Sequence, residues 1–107
     1  MEVISNGTCI RFIEDLTRTE GVISIQRKSE ERGPICQAEP GYIQNRAQKL
    51  VLCPDVCGQL YTTAAVHEFM HALGFIHEFQ RNDRDNYLHY HRENIHPGNF
   101  CGYLIFM

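Results

Sequence analysis

His67-Glu68-Phe69-Met70-His71-Ala72-Leu73-Gly74-Phe75-Ile76-His77 is the stretch on which the reading of this chain turns. His67 and His71 are four residues apart, so on a helix they share one face, one turn above the other. Two imidazoles placed in this way can approach a single zinc at roughly 2.0–2.1 Å. Glu68 lies about 100° further round the axis, which puts its carboxylate beside the metal rather than on it. There it can reach a water without filling the coordination position that catalysis needs open. On a continuous helix His77 would stand roughly 9 Å beyond His71 and about 240° round from it, too far to share the ion. The chain must therefore break, and Gly74 is the residue that can break it, because glycine takes up the left-handed conformation that ends helices. Three neutral imidazoles with one open position make the donor set of a catalytic zinc, and Glu68 is the expected general base.

The surroundings of the motif suit a small globular domain. The chain has 107 residues, 43% hydrophobic and 21% charged, with a net charge of −3. That length is enough for one domain and short for two. The charge balance provides no basic stripe for nucleic acid and no polybasic anchor for a membrane surface. Leu104-Ile105-Phe106-Met107 is among the longest apolar runs, against roughly 20 residues for a membrane-spanning helix. After Met1 the sequence turns acidic and polar, with no leader-like apolar stretch.

Ahead of the motif, Thr8–Ile13 and Gly21–Gln26 are rich in β-branched residues and partly alternating, which predicts two short strands. Residues 27–41 have loop composition, with charged clusters, Gly33-Pro34 and Pro40-Gly41. Gln48–Leu52 predicts a third strand, ended by Cys53-Pro54. The helix is expected from Thr62 or Thr63 as its cap to a stop at Gly74. No long periodic element is expected after it. Strands followed by a helix give an α+β domain.

Five cysteines (Cys9, Cys36, Cys53, Cys57 and Cys101) are many for a cytosolic domain of this size and favour disulfides in an extracellular protein. The C-x3-C pair Cys53/Cys57 lacks a second pair at a distance that would complete a structural zinc site. Asn6-Gly7-Thr8 is a glycosylation sequon, weakly in favour of secretion. No serine lies in a nucleophile-elbow context, which disfavours a serine hydrolase.

Beyond His77, the run Glu78-Phe79-Gln80-Arg81-Asn82-Asp83-Arg84-Asp85-Asn86-Tyr87 resembles the astacins among the metzincin metallopeptidases, in which the third histidine is followed by Glu and an R-x-D-R-D-x-Y pattern. Cys9-Ile10-Arg11-Phe12 is similar to a strand of that family, and Gln48–Leu52 to another. The likeness runs over about residues 5–100 and is strongest over 67–87. It implies the upper half of a zincin-like domain: a small mixed sheet and the zinc-binding helix, with the lower subdomain mostly missing. Residues 1–107 would then be a partial peptidase domain. The family's first strand has no counterpart here, nor does its Met-turn, S-x-M-H-Y.

Residue by residue, the resemblance implies one Zn2+ on His67, His71 and His77, with Glu68 as general base. It implies that Glu78 is a buried carboxylate meeting the mature N-terminus, and that Cys36 pairs with Cys57. Cys9 would pair with a cysteine beyond this chain. Cys53 and Cys101 have no counterpart in the family, and a bond between them is one open pairing. The implied activity is hydrolysis of internal peptide bonds in protein or peptide substrates by a secreted enzyme. The alternative is a truncated, inactive zinc-binding fragment that acts, if at all, as a binding module. Of the other residues, a buried orienting role is expected within Arg81–Asp85, a packing role for Tyr87, and solvent-exposed positions for His89 and His91.

Overall fold

The structure, a computed structural model, describes residues 1–27, 36–54, 61–89 and 91–95. The chain divides into two compact units, residues 1–75 and 76–107. In the first, a helix α1 (Glu2–Gly7) precedes the strands β1 (Ile23–Arg27), β2 (Gln37–Ala38) and β3 (Gln48–Leu52), and the helix α2 (Tyr61–Ala72) follows them. The architecture is α+β, as the order of strands and helix predicts.

The sheet is mixed, in the order β1-β3-β2. β1 runs parallel to β3, with Ile23 opposite Gln48 and Arg27 opposite Leu52. β2 is antiparallel to β3, with Ala38 opposite Leu50. A strand covered on both sides favours apolar residues at successive positions, and central β3 buries Leu50, Val51 and Leu52 in a row. On the β2 edge the ladder continues for one more bond, Glu39 N–H to the Lys49 carbonyl at 3.1 Å. It stops at Pro40, which has no N–H to give.

Leu50, Leu52, Phe69, Ala72 and Ile4 form the core cluster, so β3, α2 and α1 all contribute to one apolar centre. Phe12 meets Phe69 edge-on at a ring separation of 5.2 Å, a favoured aromatic geometry. Leu50 has no exposed surface and Phe69 is buried, so this packing fixes the inner face of α2.

Three expectations need correction. Thr8–Ile13 is not a strand: Thr8 Oγ1 donates to the Ile4 carbonyl at 2.8 Å and accepts the Ile10 amide at 3.1 Å. The Arg11 guanidinium donates to the carbonyls of Ser5, Thr8 and Ile10. The carbonyls left open at the end of α1 are thus satisfied by side chains, which competes with a sheet ladder. Secondly, α2 already includes Thr62 and Thr63, so neither is its cap. Thirdly, the loop stretch contains β2, a strand too short for an alternating pattern.

Among its described residues the second unit carries three single-turn 3-10 helices, Glu78–Gln80, Arg84–Asn86 and Arg92–Asn94. No long element is present among its described residues, as expected. Arg84 is buried, with its guanidinium donating to the Phe79 carbonyl at 2.8 Å and to Asp85 at 3.2 Å. This is the burial expected within Arg81–Asp85. Arg81 instead makes an exposed two-pronged pair with Asp83, at 2.8 and 2.9 Å. Tyr87 is 80% exposed and so is not a packing residue.

Candidate active site

The end of α2 is built by glycine. Gly74 has φ +102°, its N–H donates to the His71 carbonyl at 2.8 Å, and the Phe75 N–H donates to the Met70 carbonyl at 3.0 Å. These two bonds are the Schellman pair, which requires a residue that tolerates positive φ at the first position beyond the helix. Two further bonds hold the same helix end to β3 and to the loop after β2. Gly41 N–H donates to the His71 carbonyl at 3.0 Å, and the buried Gln48 side-chain amide donates to the carbonyls of Ala72 and Glu39. Carbonyls that a helix leaves open at its C-terminus are thereby satisfied by the sheet.

His67 and His71 project from α2 with ring centroids 4.5 Å apart and planes at 84°. His71 Nδ1 lies 2.7 Å from the Phe75 carbonyl. A carbonyl only accepts, so Nδ1 carries the proton and Nε2 is the ring nitrogen that bears the lone pair. His77 is oriented in the same manner by Gln80: its Nδ1 lies 3.2 Å from Gln80 Oε1, and its ring stacks on Phe79 at 5.0 Å. The Gln80 N–H returns a bond to the His77 carbonyl at 2.9 Å, which closes the turn. His67, His71 and His77 each offer one ligand atom, and these atoms lie within 4.8 Å of one another. Three imidazole nitrogens are a donor set that zinc takes, so the residues present fit that ion.

Glu68 is buried at 6% exposure, and its Oε2 has no hydrogen-bond partner among the described residues. A buried carboxylate oxygen without a partner costs roughly 1–3 kcal/mol or more. Such an oxygen points to a group kept for chemistry rather than for stability.

Not every expected residue behaves as the sequence suggests. Glu78 is not buried: its side chain is 86% exposed and reaches only Arg81, at 3.5 Å. It heads a single-turn helix at the surface, and no packed element among the described residues covers it. Cys57 lies outside the described residues, and with it the expected Cys36–Cys57 bond; the same holds for Cys101 and a Cys53–Cys101 bond. Cys53 is buried, and its N–H donates to Cys36 Sγ at 3.2 Å. Cys9 is an exposed free thiol. His89 and His91 are exposed, as expected. Gln80 and Gln48 are the functional contributors that sequence reading passes over. Gln80 had a readable cue, a glutamine three residues after the residue that starts a helical turn. Gln48 had none, since a polar residue at the start of a strand looks like a solvent-facing one.

Comparison with known proteins matches this geometry to a family. The sequence model described as Astacin, a peptidase family, matches residues 1–103. The chain is 41% identical over 91 residues to zinc metalloproteinase nas-22 of Caenorhabditis elegans, covering 84% of this chain and 22% of that protein. It is 35% identical over 105 residues to astacin-like metalloprotease toxin 2 of Loxosceles intermedia, covering 96% of this chain and 37% of that protein. Among solved structures it is similar to high choriolytic enzyme 1, a hatching-enzyme zinc protease of Oryzias latipes, with a TM-score of 0.75 and 31% identity. That likeness covers 96% of this chain and 47% of the other. The chain thus spans less than half the length of each of these relatives. With the family model covering nearly the whole sequence and the helix, glycine turn and three histidines all present, the chain belongs to the astacin family of peptidases.

Proposed function

We propose that this chain carries the zinc-binding part of a zinc-dependent metalloendopeptidase that hydrolyses internal peptide bonds of protein or peptide substrates. One Zn2+ is held by His67, His71 and His77, and Glu68 is the general base. The observation that carries this reading is the buried Glu68 oxygen, without a partner among the described residues, next in sequence to a helical histidine pair whose rings lie 4.5 Å apart. When bound, zinc supplies a Lewis-acid charge and lowers the pKa of water at the site to about 7.

The chain's own groups supply the rest. His71, with Nδ1–H committed to the Phe75 carbonyl, presents one defined nitrogen, and Gln80 does the same for His77. Glu68 takes the proton from the attacking water and returns it to the leaving amine, the two duties of one carboxylate in amide hydrolysis. A carboxylate with an unsatisfied oxygen can accept that proton without first breaking another hydrogen bond. Secretion of the mature protein is part of the same reading; no helix among the described residues is long and apolar enough to cross a membrane.

Zinc content and cleavage of an unfolded protein substrate, measured on wild type and Glu68→Gln, test the proposal. Wild type is expected to hold zinc at the three histidines and to cut. The variant should keep its zinc while its rate falls about 10^2–10^4-fold. Equal cleavage by both would remove Glu68 from the mechanism.

A further inference from the structure

Outside the zinc motif, the second unit holds another pair of imidazoles. His89 and His91 are both exposed, with ring centroids 4.8 Å apart and planes at 83°. The His67–His71 pair has nearly the same relation, 4.5 Å and 84°. The two pairs reach it by different routes. On α2 it comes from a spacing of four along a helix, whereas His89 and His91 are two apart in the sequence.

One of the two is also oriented. His91 Nδ1 lies 2.9 Å from a Glu93 carboxylate oxygen. A carboxylate accepts only, so the shared proton sits on Nδ1 and the Nε2 lone pair is left for a ligand. A carboxylate behind a histidine is the recurring outer partner of metal-ligating imidazoles, fixing the ring and raising its basicity. Glu93 is two residues further on, in the Arg92–Asn94 helix, and is itself exposed. The arrangement is therefore held by local chain geometry rather than by the core.

We propose that His89 and His91 form an accessory site for a divalent transition-metal ion of the zinc, nickel and copper class, with Glu93 as the positioning residue behind His91. Two imidazoles and an exposed surface leave the remaining coordination positions to water. Such a site binds reversibly and more weakly than the three-histidine site, and it follows the usual order in which copper exceeds nickel and zinc. Calcium and magnesium, which need oxygen donors, are excluded by the donor set.

The test uses the full chain and the bare metals. Equilibrium dialysis against Zn2+ is expected to give two ions per wild-type chain, the second held more weakly than the first. His89→Ala/His91→Ala should lose the second ion and keep the first. Glu93→Gln should weaken only the second, by about 10–100-fold. Electron paramagnetic resonance of Cu2+, added to chain already holding one zinc, should show nitrogen hyperfine splitting from two imidazoles, absent in the double variant. The exposed positions make these variants compatible with folding, and circular dichroism identical to wild type checks that. A wild-type stoichiometry of one, or a second ion or an unchanged copper spectrum that survives in the double variant, would overturn the proposal.

Discussion

Replacing Gly74 with alanine tests the turn on which the three-histidine arrangement depends. A Cβ built on Gly74 would meet nothing closer than the Gly41 Cα at 3.9 Å, which is ordinary contact distance. The substitution therefore adds no clash, and its cost is backbone strain alone. At φ +102° an L-residue is outside its favoured regions, at a cost of about 1–3 kcal/mol. The metal-free chain can respond in two ways. It can keep the turn and lose that amount of stability, or it can rotate the backbone and carry His77 away from its partners. In the second case zinc binding must restore the turn, and the strain appears in the metal affinity instead, at about tenfold for each 1.4 kcal/mol. The loss of stability in metal-free urea unfolding and the loss of zinc affinity in chelator competition should therefore sum to about 1–3 kcal/mol, however they divide. Gly7→Ala is the control, since Gly7 has negative φ and open space around it. A Gly74→Ala chain with wild-type stability and wild-type zinc affinity would refute the claim that the glycine makes the turn.

Two other perturbations reach the scaffold beneath the site. Leu50→Ala empties a position with no exposed surface at the centre of the core and should cost about 2–5 kcal/mol in denaturant unfolding; a loss below about 1 kcal/mol would mean that the cluster around β3 is not the core. Glu39 accepts bonds from the Arg46 guanidinium and then from the Lys49 amide, which hold its carboxyl at about 2 against an ordinary 4.5. A lowered folded-state pKa stabilises the fold above the unfolded value and is lost as acid protonates the group. The excess stability of wild type over Glu39→Gln should therefore be full above about pH 4.5 and fade between there and about pH 2. Parallel stability–pH curves for the two chains would rule this out.

The parts of the fold legible in the sequence are those set by local pattern. β1 and β3 follow from β-branched runs, α2 from its apolar spacing, and its end from Gly74, whose positive φ is a demand only glycine meets cheaply. The three histidines follow from the same spacing together with the break. What the sequence hides depends on partners distant along the chain. Thr8–Ile13 has strand composition, but α1's open carbonyls and the Thr8 and Arg11 side chains take its place in a ladder. Gln48 looks like a solvent-facing polar residue and proves to be buried, because two carbonyls from different segments converge on its amide. Glu78, expected on family likeness to be buried, stands in solvent with Arg81 among the described residues.

The bond from Gly41 N–H to the His71 carbonyl gives the motif a reporter outside itself. That hydrogen exchanges with solvent only when the helix terminus lets go of the loop following β2, far earlier in the chain. Deuterium uptake at one glycine thus registers how firmly the second histidine is anchored. Any ion that stiffens the terminus slows that uptake, and no label need be placed on the imidazoles themselves.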